Sequence, residues 1–207
     1  PGWHIECSCM TKSIFGERFD IHGGGSDLRF PHHENELAQS MCANNSEAYA
    51  NYWIHSGMVQ INNEKMSKSL GNFFVIREVL ESYRPEVLRY FLISAHYRSE
   101  INYSQENLDH AQNALNRFYT ALRGLDLSVA LPQDHQTWHA RFNEAMLDDF
   151  NVPQAMAVLF ELLKKINQLE APEASAYGVL LKKLAGIFGL LQQDPNDYFQ
   201  GSQDGDF

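Results

Sequence analysis

The second half of the chain carries a repeating pattern of apolar positions that is typical of helices. The first stripe recurs every three or four residues and consists of Leu108, Ala111, Leu115, Phe118 and Leu122. This spacing places all five side chains on one face of a helix, where they can pack against a core. Gly124 follows directly, at a position where helices commonly end. The pattern therefore predicts a core-facing helix that ends near Gly124.

Three further segments continue the helical pattern. The second includes Trp138, Phe142 and Met146, and the third begins at a cap formed by residues 151–153. A fourth is expected over residues 174–191, again with apolar residues in helical spacing. We therefore predict an all-α bundle over residues 104–191. The remaining segment, 192–207, is polar and acidic with Pro and Gly, and we expect a mobile tail there.

The first half of the chain shows a mixed pattern. Residues 19–22 and 53–59 read as strands and alternate with helical segments, as in a parallel α/β sheet. Helices are expected over residues 73–83 and again from Pro85 to about residue 96, because Pro is accepted in the first turn of a helix. The predicted fold class is therefore α/β, with the later part of a parallel sheet domain over residues 1–103 followed by the helical bundle.

Composition and charge exclude several classes of protein. Apolar residues make up 44% of the 207 positions and charged residues 20%, which suits a globular domain with a real core. No apolar run is long enough for a membrane span, and no signal peptide is visible. The net charge of −10 argues against a non-specific phosphate binder, although local basic patches remain compatible with one RNA partner. Three cysteines suit a reducing cytoplasm better than a disulfide framework.

The most informative motif is Lys-Met-Ser-Lys-Ser at residues 65–69. Two ammonium groups three residues apart on a loop can neutralise negative charge that develops on a pyrophosphate leaving group. Serine hydroxyls can donate to phosphate oxygens. We expect Lys68 to make the main phosphate contact and Lys65 to assist, with both residues taking part in catalysis. A bare pair of lysines at this spacing would more often mark a solvated loop.

A second group of residues has the chemistry of a metal site. His32 and Glu36 are four residues apart, so a helix places both on one face, and Cys7 adds a thiolate from an earlier segment. Sulfur, nitrogen and oxygen ligands together suit Zn²⁺. Cys9 lies two residues after Cys7, which on a strand would put both on one face and could make Cys9 a substitute ligand, although we favour a buried or solvent-facing thiol without a role in metal binding. Taken alone, a core cysteine and a surface His/Glu pair explain the same residues equally well, and we expect Cys42 to lie in the core.

Five motifs together give the chain a close resemblance to the cysteinyl-tRNA synthetases, a class I family. They are GWHIECS at 2–8, FDIHGGGSDL at 19–28, FPHHENE at 30–36, HSGMV at 55–59 and KMSKS at 65–69. The resemblance runs from residue 1 to about residue 126 and continues more loosely through the helical region. It implies a Rossmann-type catalytic domain followed by a DALR-like helical bundle that docks on tRNA.

The resemblance also implies roles for single residues. One zinc ion per subunit would be held by Cys7, His32 and Glu36, with another cysteine from an earlier part of the protein, and would bind the substrate thiolate. Trp3 and His22 would contact the substrate. The expected ATP-binding residues are Gly24, Asp27, Lys65 and Lys68. A zinc ion discriminates cysteine from serine more strongly than the wall of a pocket can, because it favours a soft thiolate.

The chain departs from the family pattern in what it lacks. No His-Ile-Gly-His motif is present, and the segment that reads the anticodon would follow residue 207, so we expect a piece of the enzyme that is inactive alone. The expected parent enzyme is a cytoplasmic monomer without a stable protein partner. It would use L-cysteine, ATP with Mg²⁺, and tRNA(Cys).

Two alternatives to the cysteine–tRNA ligase remain open at this point. A related ligase would activate cysteine in the same way and transfer it to the amine of an amino sugar. A non-catalytic zinc- or nucleic-acid-binding module is the other, and it would leave the motif at 65–69 without a purpose. The helices after Ser104 favour the tRNA enzyme over the amino-sugar ligase without excluding that ligase.

Overall fold

The computed structural model describes residues 2–61, 64–66 and 75–200. The chain forms two compact units, of which the first comprises Pro1–Met58 with Tyr97–Glu100 and the second Val59–His96 with Ile101–Phe207. Among the residues described, no helix combines the length and the apolarity that a membrane span requires.

The first unit pairs two helices with two parallel strands. Its elements are α1 (His4–Phe15), β1 (Phe19–Gly25), α2 (Glu34–Asn44) and β2 (Ala50–Ser56). Strands β1 and β2 pair in parallel, with Phe19 opposite Ala50 and Gly25 opposite Ser56. Between β1 and α2 the chain makes a 3-10 turn and then a π-helical turn at Arg29–His33, which carries His32 and His33 into the interior. The strand-and-helix pattern predicted for this region is confirmed.

The second unit begins with three short strands and two helices. They are β3 (Val59–Ile61), β4 (Glu64–Lys65), α3 (Ile76–Leu80), α4 (Pro85–Ile93) and β5 (Ile101–Tyr103). Strand β3 pairs with β4 in antiparallel fashion and with β5 in parallel. The predicted Pro start of α4 is confirmed, and the helix ends at Ile93, earlier than the sequence suggests.

Four longer helices complete the second unit and contain its core. They are α5 (Gln105–Leu122), α6 (His135–Leu147), α7 (Val152–Ile166) and α8 (Ala171–Ile187). The sequence-predicted stripe of α5 is buried along its whole length, and Gly124 has a φ of 79°, a conformation that glycine adopts without strain. Ser104 and Asn151 cap α5 and α7, since each side-chain oxygen accepts a hydrogen bond from a backbone N–H three residues later. The predicted helical bundle is confirmed.

The compact units divide the chain differently from the boundary at residues 103 and 104 that the sequence suggests. Val87, Leu88 and Phe91 of α4 join the same buried cluster as the helices of the bundle, so residues 59–96 belong with it. At the other end, Tyr198 is 3% exposed and its ring stacks on Tyr119 at 3.6 Å. Residues 192–200, for which we expected a mobile tail, therefore pack on the bundle, and residues 201–207 lie outside the described part.

Candidate functional site

Two helices of the first unit bring the predicted metal ligands together. Cys7 lies in α1, Glu36 in the first turn of α2, and His32 in the π-helical turn before it. One potential ligand atom from each of the three lies within 4.8 Å of the others. Nε2 of His32 is 2.6 Å from Oε1 of Glu36, and the two side chains are almost completely buried. Ligand atoms of one tetrahedral zinc ion lie about 2.0–2.3 Å from the metal and hence about 3.3–3.6 Å from one another, so the three atoms are near enough to share an ion once His32 and Glu36 move slightly apart.

The carboxylate of Glu36 is held by one oxygen and leaves the other without a hydrogen bond. Oε2 accepts a hydrogen bond from the hydroxyl of Tyr49 at 3.2 Å and lies 3.3 Å from Nε2 of His22. Within the described residues, Oε1 has no hydrogen-bond donor, although His32 approaches it at 2.6 Å. A buried carboxylate oxygen without a donor is costly, and a cation bound beside it would compensate. The residues present therefore fit a metal ion.

The thiol of Cys7 completes this donor set. Burial raises the pKa of the thiol, and the negative charges of Glu36 and Glu6 raise it further. A bound cation would reverse this effect, because a thiol that coordinates a metal loses its proton. Sulfur, imidazole nitrogen and carboxylate oxygen together are ligands that zinc accepts.

The other two cysteines lie outside this donor set. The segment around Cys7 is a helix, so Cys9 points away from Cys7 instead of sharing a strand face with it, and Cys9 is exposed. Cys9 is therefore not placed as a substitute ligand. The expectation of a core position for Cys42 is also wrong, because this thiol is exposed near the end of α2.

The two predicted substrate-binding residues flank the metal ligands. The indole of Trp3 stacks on the His32 ring with centroids 3.6 Å apart and an angle of 10°, yet Trp3 is 55% exposed. His22 in β1 lies 3.3 Å from the carboxylate of Glu36. Burial lowers the pKa of His22, while the charge of Glu36 acts in the opposite direction. Both residues are therefore next to the candidate metal centre, and their contact with substrate stays a prediction.

Three further residues of the site were missed by sequence reasoning. His33 is 4% exposed, and its Nδ1 lies 2.8 Å from Nε2 of His55. Burial, with the neighbouring imidazoles of His22 and His55, lowers the pKa of His33 to about 4, so this ring is neutral at physiological pH. The motifs at 30–36 and 55–59 contain these two histidines and could have indicated them. Tyr49, which holds Glu36, has no signal in the sequence, because its partner lies thirteen residues away.

A cavity of about 440 Å³ opens beside these histidines in the first unit. Its lining combines aromatic, imidazole and guanidinium groups and consists of Arg29, His33, Glu34, Leu37, Trp53, His55 and Arg98. Such a lining can accept a ligand that has both a flat ring and negative charge.

The glycine-rich segment forms the end of β1 and the turn that follows. A Cβ atom on Gly24 would lie 2.8 Å from the ring of His33, so glycine is required there for the imidazole to pack against the strand. Asp27 is exposed in the 3-10 turn. Whether Gly24 and Asp27 contact ATP stays a prediction.

The motif at 65–69 lies mainly outside the described part of the chain. The backbone of Lys65 forms β4 and pairs with Gln60 of β3. Ser67, Lys68 and Ser69 lie outside the described residues. The roles assigned to Lys65 and Lys68 in ATP binding and catalysis therefore stay predictions.

Comparison with protein families places the chain in a known class. The family model described as tRNA synthetases class I (C) catalytic domain matches residues 1–113, more than half of the chain. A second model, described as DALR domain, matches residues 141–192. The chain therefore belongs to the class I (C) tRNA synthetase family, and the resemblance stated from its motifs is confirmed.

Curated proteins with similar sequences carry the name cysteine–tRNA ligase. The protein from Pasteurella multocida is 58% identical over 209 residues, which cover 100% of this chain and 45% of the relative. The protein from Pseudoalteromonas translucida is 57% identical with the same coverage. This chain thus spans less than half the length of the curated relatives it matches.

A solved structure with a similar fold is that of the LeuRS of Agrobacterium radiobacter in a ternary complex with tRNA and LeuAMS. The TM-score is 0.62 at 15% identity, and the match covers 86% of this chain and 28% of the other. At this identity the similarity concerns the fold alone. With the two family matches, it confirms the predicted class of an α/β synthetase domain followed by helices.

Proposed function

We propose that this chain is part of a cysteine–tRNA ligase, which activates L-cysteine with ATP and transfers it to tRNA(Cys). The observation that carries this proposal is the convergence of Cys7, His32 and Glu36 within 4.8 Å, with a carboxylate oxygen left for a cation. The names of relatives that are 57–58% identical over the whole chain support the choice of cysteine and of tRNA.

The three ligands would hold one zinc ion at the cysteine site. When bound, zinc would supply a soft Lewis acid that favours the substrate thiolate over the hydroxyl of serine. Tyr49 and His22 would keep the Glu36 carboxylate oriented towards the metal. Trp3, which is more than half exposed, would offer its indole to the substrate beside His32.

ATP would bind along the carboxyl end of β1, where open α/β sheets place nucleotides. Gly24 would let the nucleotide approach the protein backbone closely, and Asp27 would bind the ribose hydroxyls. Lys68, assisted by Lys65, would neutralise the charge that develops on the pyrophosphate, together with Mg²⁺ bound to the phosphates. The histidine-lined cavity beside β2 is large enough to take part in substrate binding.

The same proposal implies which molecule accepts the activated cysteine and in which form the enzyme works. The helices over residues 141–192, which match a DALR domain, would dock on tRNA, and no such bundle would be needed for an amino-sugar acceptor. A soluble cytoplasmic monomer is the expected form. Acceptor choice between tRNA and an amino sugar separates the two ligases experimentally.

The test compares Cys7→Ser with Cys9→Ser in a full-length protein that contains this chain. Zinc is measured by elemental analysis, and activation of cysteine and of serine by ATP–pyrophosphate exchange. We expect Cys7→Ser to lose most of its zinc, because a hydroxyl is a poor zinc ligand, and to discriminate less against serine. The matched variant Cys9→Ser changes an exposed thiol two residues away and keeps both properties.

Two outcomes would contradict the proposal. Equal zinc content in wild type and Cys7→Ser would remove Cys7 from the ligand set. An unmodified protein that exchanges pyrophosphate with another amino acid in place of cysteine would refute the assigned substrate.

A further inference from the structure

Nδ1 of His32, the ring nitrogen away from Glu36, meets a row of two polar side chains, His4 and Asn35. Neither of them is a proposed metal ligand. Nδ1 of His32 lies 2.7 Å from Nδ1 of His4, the first residue of α1. On the other side of that ring, Nε2 of His4 lies 3.2 Å from the side-chain amide of Asn35. The three side chains therefore form one row that ends at Nε2 of His32, which faces Glu36.

The direction of these hydrogen bonds follows from the atoms at the outer end. The amide nitrogen of Asn35 faces His4 and can only donate, so Nε2 of His4 must accept. The proton of a neutral His4 is then on Nδ1, from which it is donated to Nδ1 of His32. A neutral His32 then carries its own proton on Nε2, the nitrogen that lies 2.6 Å from Oε1 of Glu36 without the geometry of a hydrogen bond.

Metal binding requires each hydrogen bond in this row to run in the opposite direction. A ligand nitrogen must offer a lone pair, so Nε2 of His32 loses its proton and Nδ1 carries one instead. That Nδ1–H must donate to Nδ1 of His4, which leaves the proton of His4 on Nε2. Asn35 then has to present its amide oxygen, which a half-turn of the amide group achieves. One proton leaves Nε2 of His32 for solvent and one is taken up at Nε2 of His4, so the two rings together hold the same number before and after.

We propose that His4, supported by Asn35, is the positioning residue that fixes the ring orientation and the tautomer of the metal ligand His32. This inference rests on the zinc site of the proposed function, and it adds two residues that act through His32 without touching the metal. His4 accepts the hydrogen bond that a metal-bound His32 must donate. Other neighbours do not replace it, because Tyr49 and His22 contact Glu36, and Trp3 covers only the face of the His32 ring.

The size of the expected effect follows from partners of this kind in metalloproteins. Loss of the group that accepts a hydrogen bond from a ligating histidine typically costs about 10–100-fold in metal affinity. Because the contact between His4 and His32 is partly buried, a water molecule would replace His4 as hydrogen-bond acceptor only incompletely.

The experiment measures the zinc affinity of a full-length protein that contains this chain, by competition with a chromogenic chelator. His4→Phe keeps the ring but cannot accept a hydrogen bond, and we expect its zinc affinity to fall about 10–100-fold. His4→Asn places an amide oxygen near the position of Nδ1 and is expected to restore most of the affinity. His110→Phe, a change of an exposed histidine on α5, is the matched control and should bind as wild type does.

A second measurement reports the direction of the row directly. Long-range proton–nitrogen NMR spectra of the imidazoles show which ring nitrogen carries the proton. We expect the proton of His4 on Nδ1 without zinc and on Nε2 with zinc. This result does not depend on the stability of a variant, and a His4 proton that stays on Nδ1 in the zinc-bound protein would overturn the inference.

The outcomes separate the two proposals. If the unmodified full-length protein binds zinc and His4→Phe binds it equally well, the role of His4 is refuted while the zinc site stands. If the unmodified full-length protein binds no zinc at all, the zinc site of the proposed function fails, and the role of His4 fails with it. If His4→Phe binds zinc as wild type does and only His4→Asn loses affinity, ring packing and not hydrogen-bond acceptance is responsible, which also refutes the inference.

Discussion

Two buried glutamates, Glu36 and Glu86, differ in how their oxygens are satisfied. Glu86 is 9% exposed, and both of its oxygens accept hydrogen bonds, Oε2 from the hydroxyl of Tyr119 at 2.7 Å and Oε1 from the backbone N–H of Leu191. Glu36 is 1% exposed and has a partner of this kind on one oxygen only. Glu86 therefore serves to anchor the end of the bundle, whereas Glu36 retains an oxygen for a ligand.

Glu86 gives a prediction about pH and stability. Burial raises the pKa of its carboxyl above the ordinary value of 4.5, and the hydrogen bonds from Tyr119 and Leu191 and the charge of Arg84 only partly offset this. A raised pKa in the folded state means that the protonated form stabilises the fold below about pH 4.5 and that this contribution is lost as pH rises through the raised pKa. We therefore expect wild type to lose free energy of unfolding relative to Glu86→Gln as pH rises above 4.5.

Urea unfolding of both proteins between pH 4.5 and 8 checks this, with the difference in free energy of unfolding plotted against pH. Glu144→Gln removes an exposed carboxylate of α6 and is the matched control for loss of charge alone. Parallel curves of unfolding free energy against pH for wild type and Glu86→Gln would contradict a raised pKa of Glu86 in the folded protein.

At the scale of elements, how well the sequence predicts structure depends on whether an element has one apolar face. Helices α5 and α7 bury the residues that their three- and four-residue spacing indicates. Helix α1 lacks such a face, since Ile5, Met10, Ile14 and Phe15 are exposed, so the periodicity that would reveal a helix is absent. For that reason the sequence pattern did not predict a helix around Cys7, although it identified Cys7 correctly as a neighbour of His32 and Glu36.

Helix α7 provides a stability prediction with an internal control. Leu159 is 0% exposed in the bundle core, whereas Leu147 at the end of α6 is 87% exposed. Leu159→Ala should lower the free energy of unfolding by about 2–5 kcal/mol, because it removes buried methyl groups and leaves a cavity. Leu147→Ala makes the same chemical change at the surface and should alter stability by less than about 0.5 kcal/mol. Similar losses in urea unfolding for the two variants would show that α7 does not lie in the core.

For the whole molecule, the sequence predicted the order of the two structural regions and most of the candidate site. The motifs identified Cys7, His32, Glu36, Trp3 and His22, which the structure brings together in one unit. What it could not predict depends on contacts between distant segments. The row from Asn35 through His4 joins residues 31 positions apart, and only the folded backbone determines which nitrogen faces which.

The two units differ in how they are stabilised, and hydrogen exchange should reveal it. In residues 2–58 and 97–100, the buried apolar side chains are those of Tyr49 and Ala50, and much of the interior is histidine and glutamate. A two-stranded sheet with so little apolar burial is marginally stable by itself, whereas the bundle has an extensive leucine core. We therefore expect amides of α1 and α2 to exchange at least about tenfold faster than those of α5 and α7.

Zinc should change this difference in one unit only. A ligand that binds the folded form stabilises it in proportion to the logarithm of its concentration over Kd, so saturating zinc should slow exchange in α1 and α2. Because the candidate ligands Cys7, His32 and Glu36 all lie in the first unit, exchange in α7 should stay unchanged. Cys7→Ser should abolish the effect of zinc, and Cys9→Ser should retain it. Slower exchange in α7 as well, or a zinc effect that survives in Cys7→Ser, would show that the metal acts somewhere other than at this cluster.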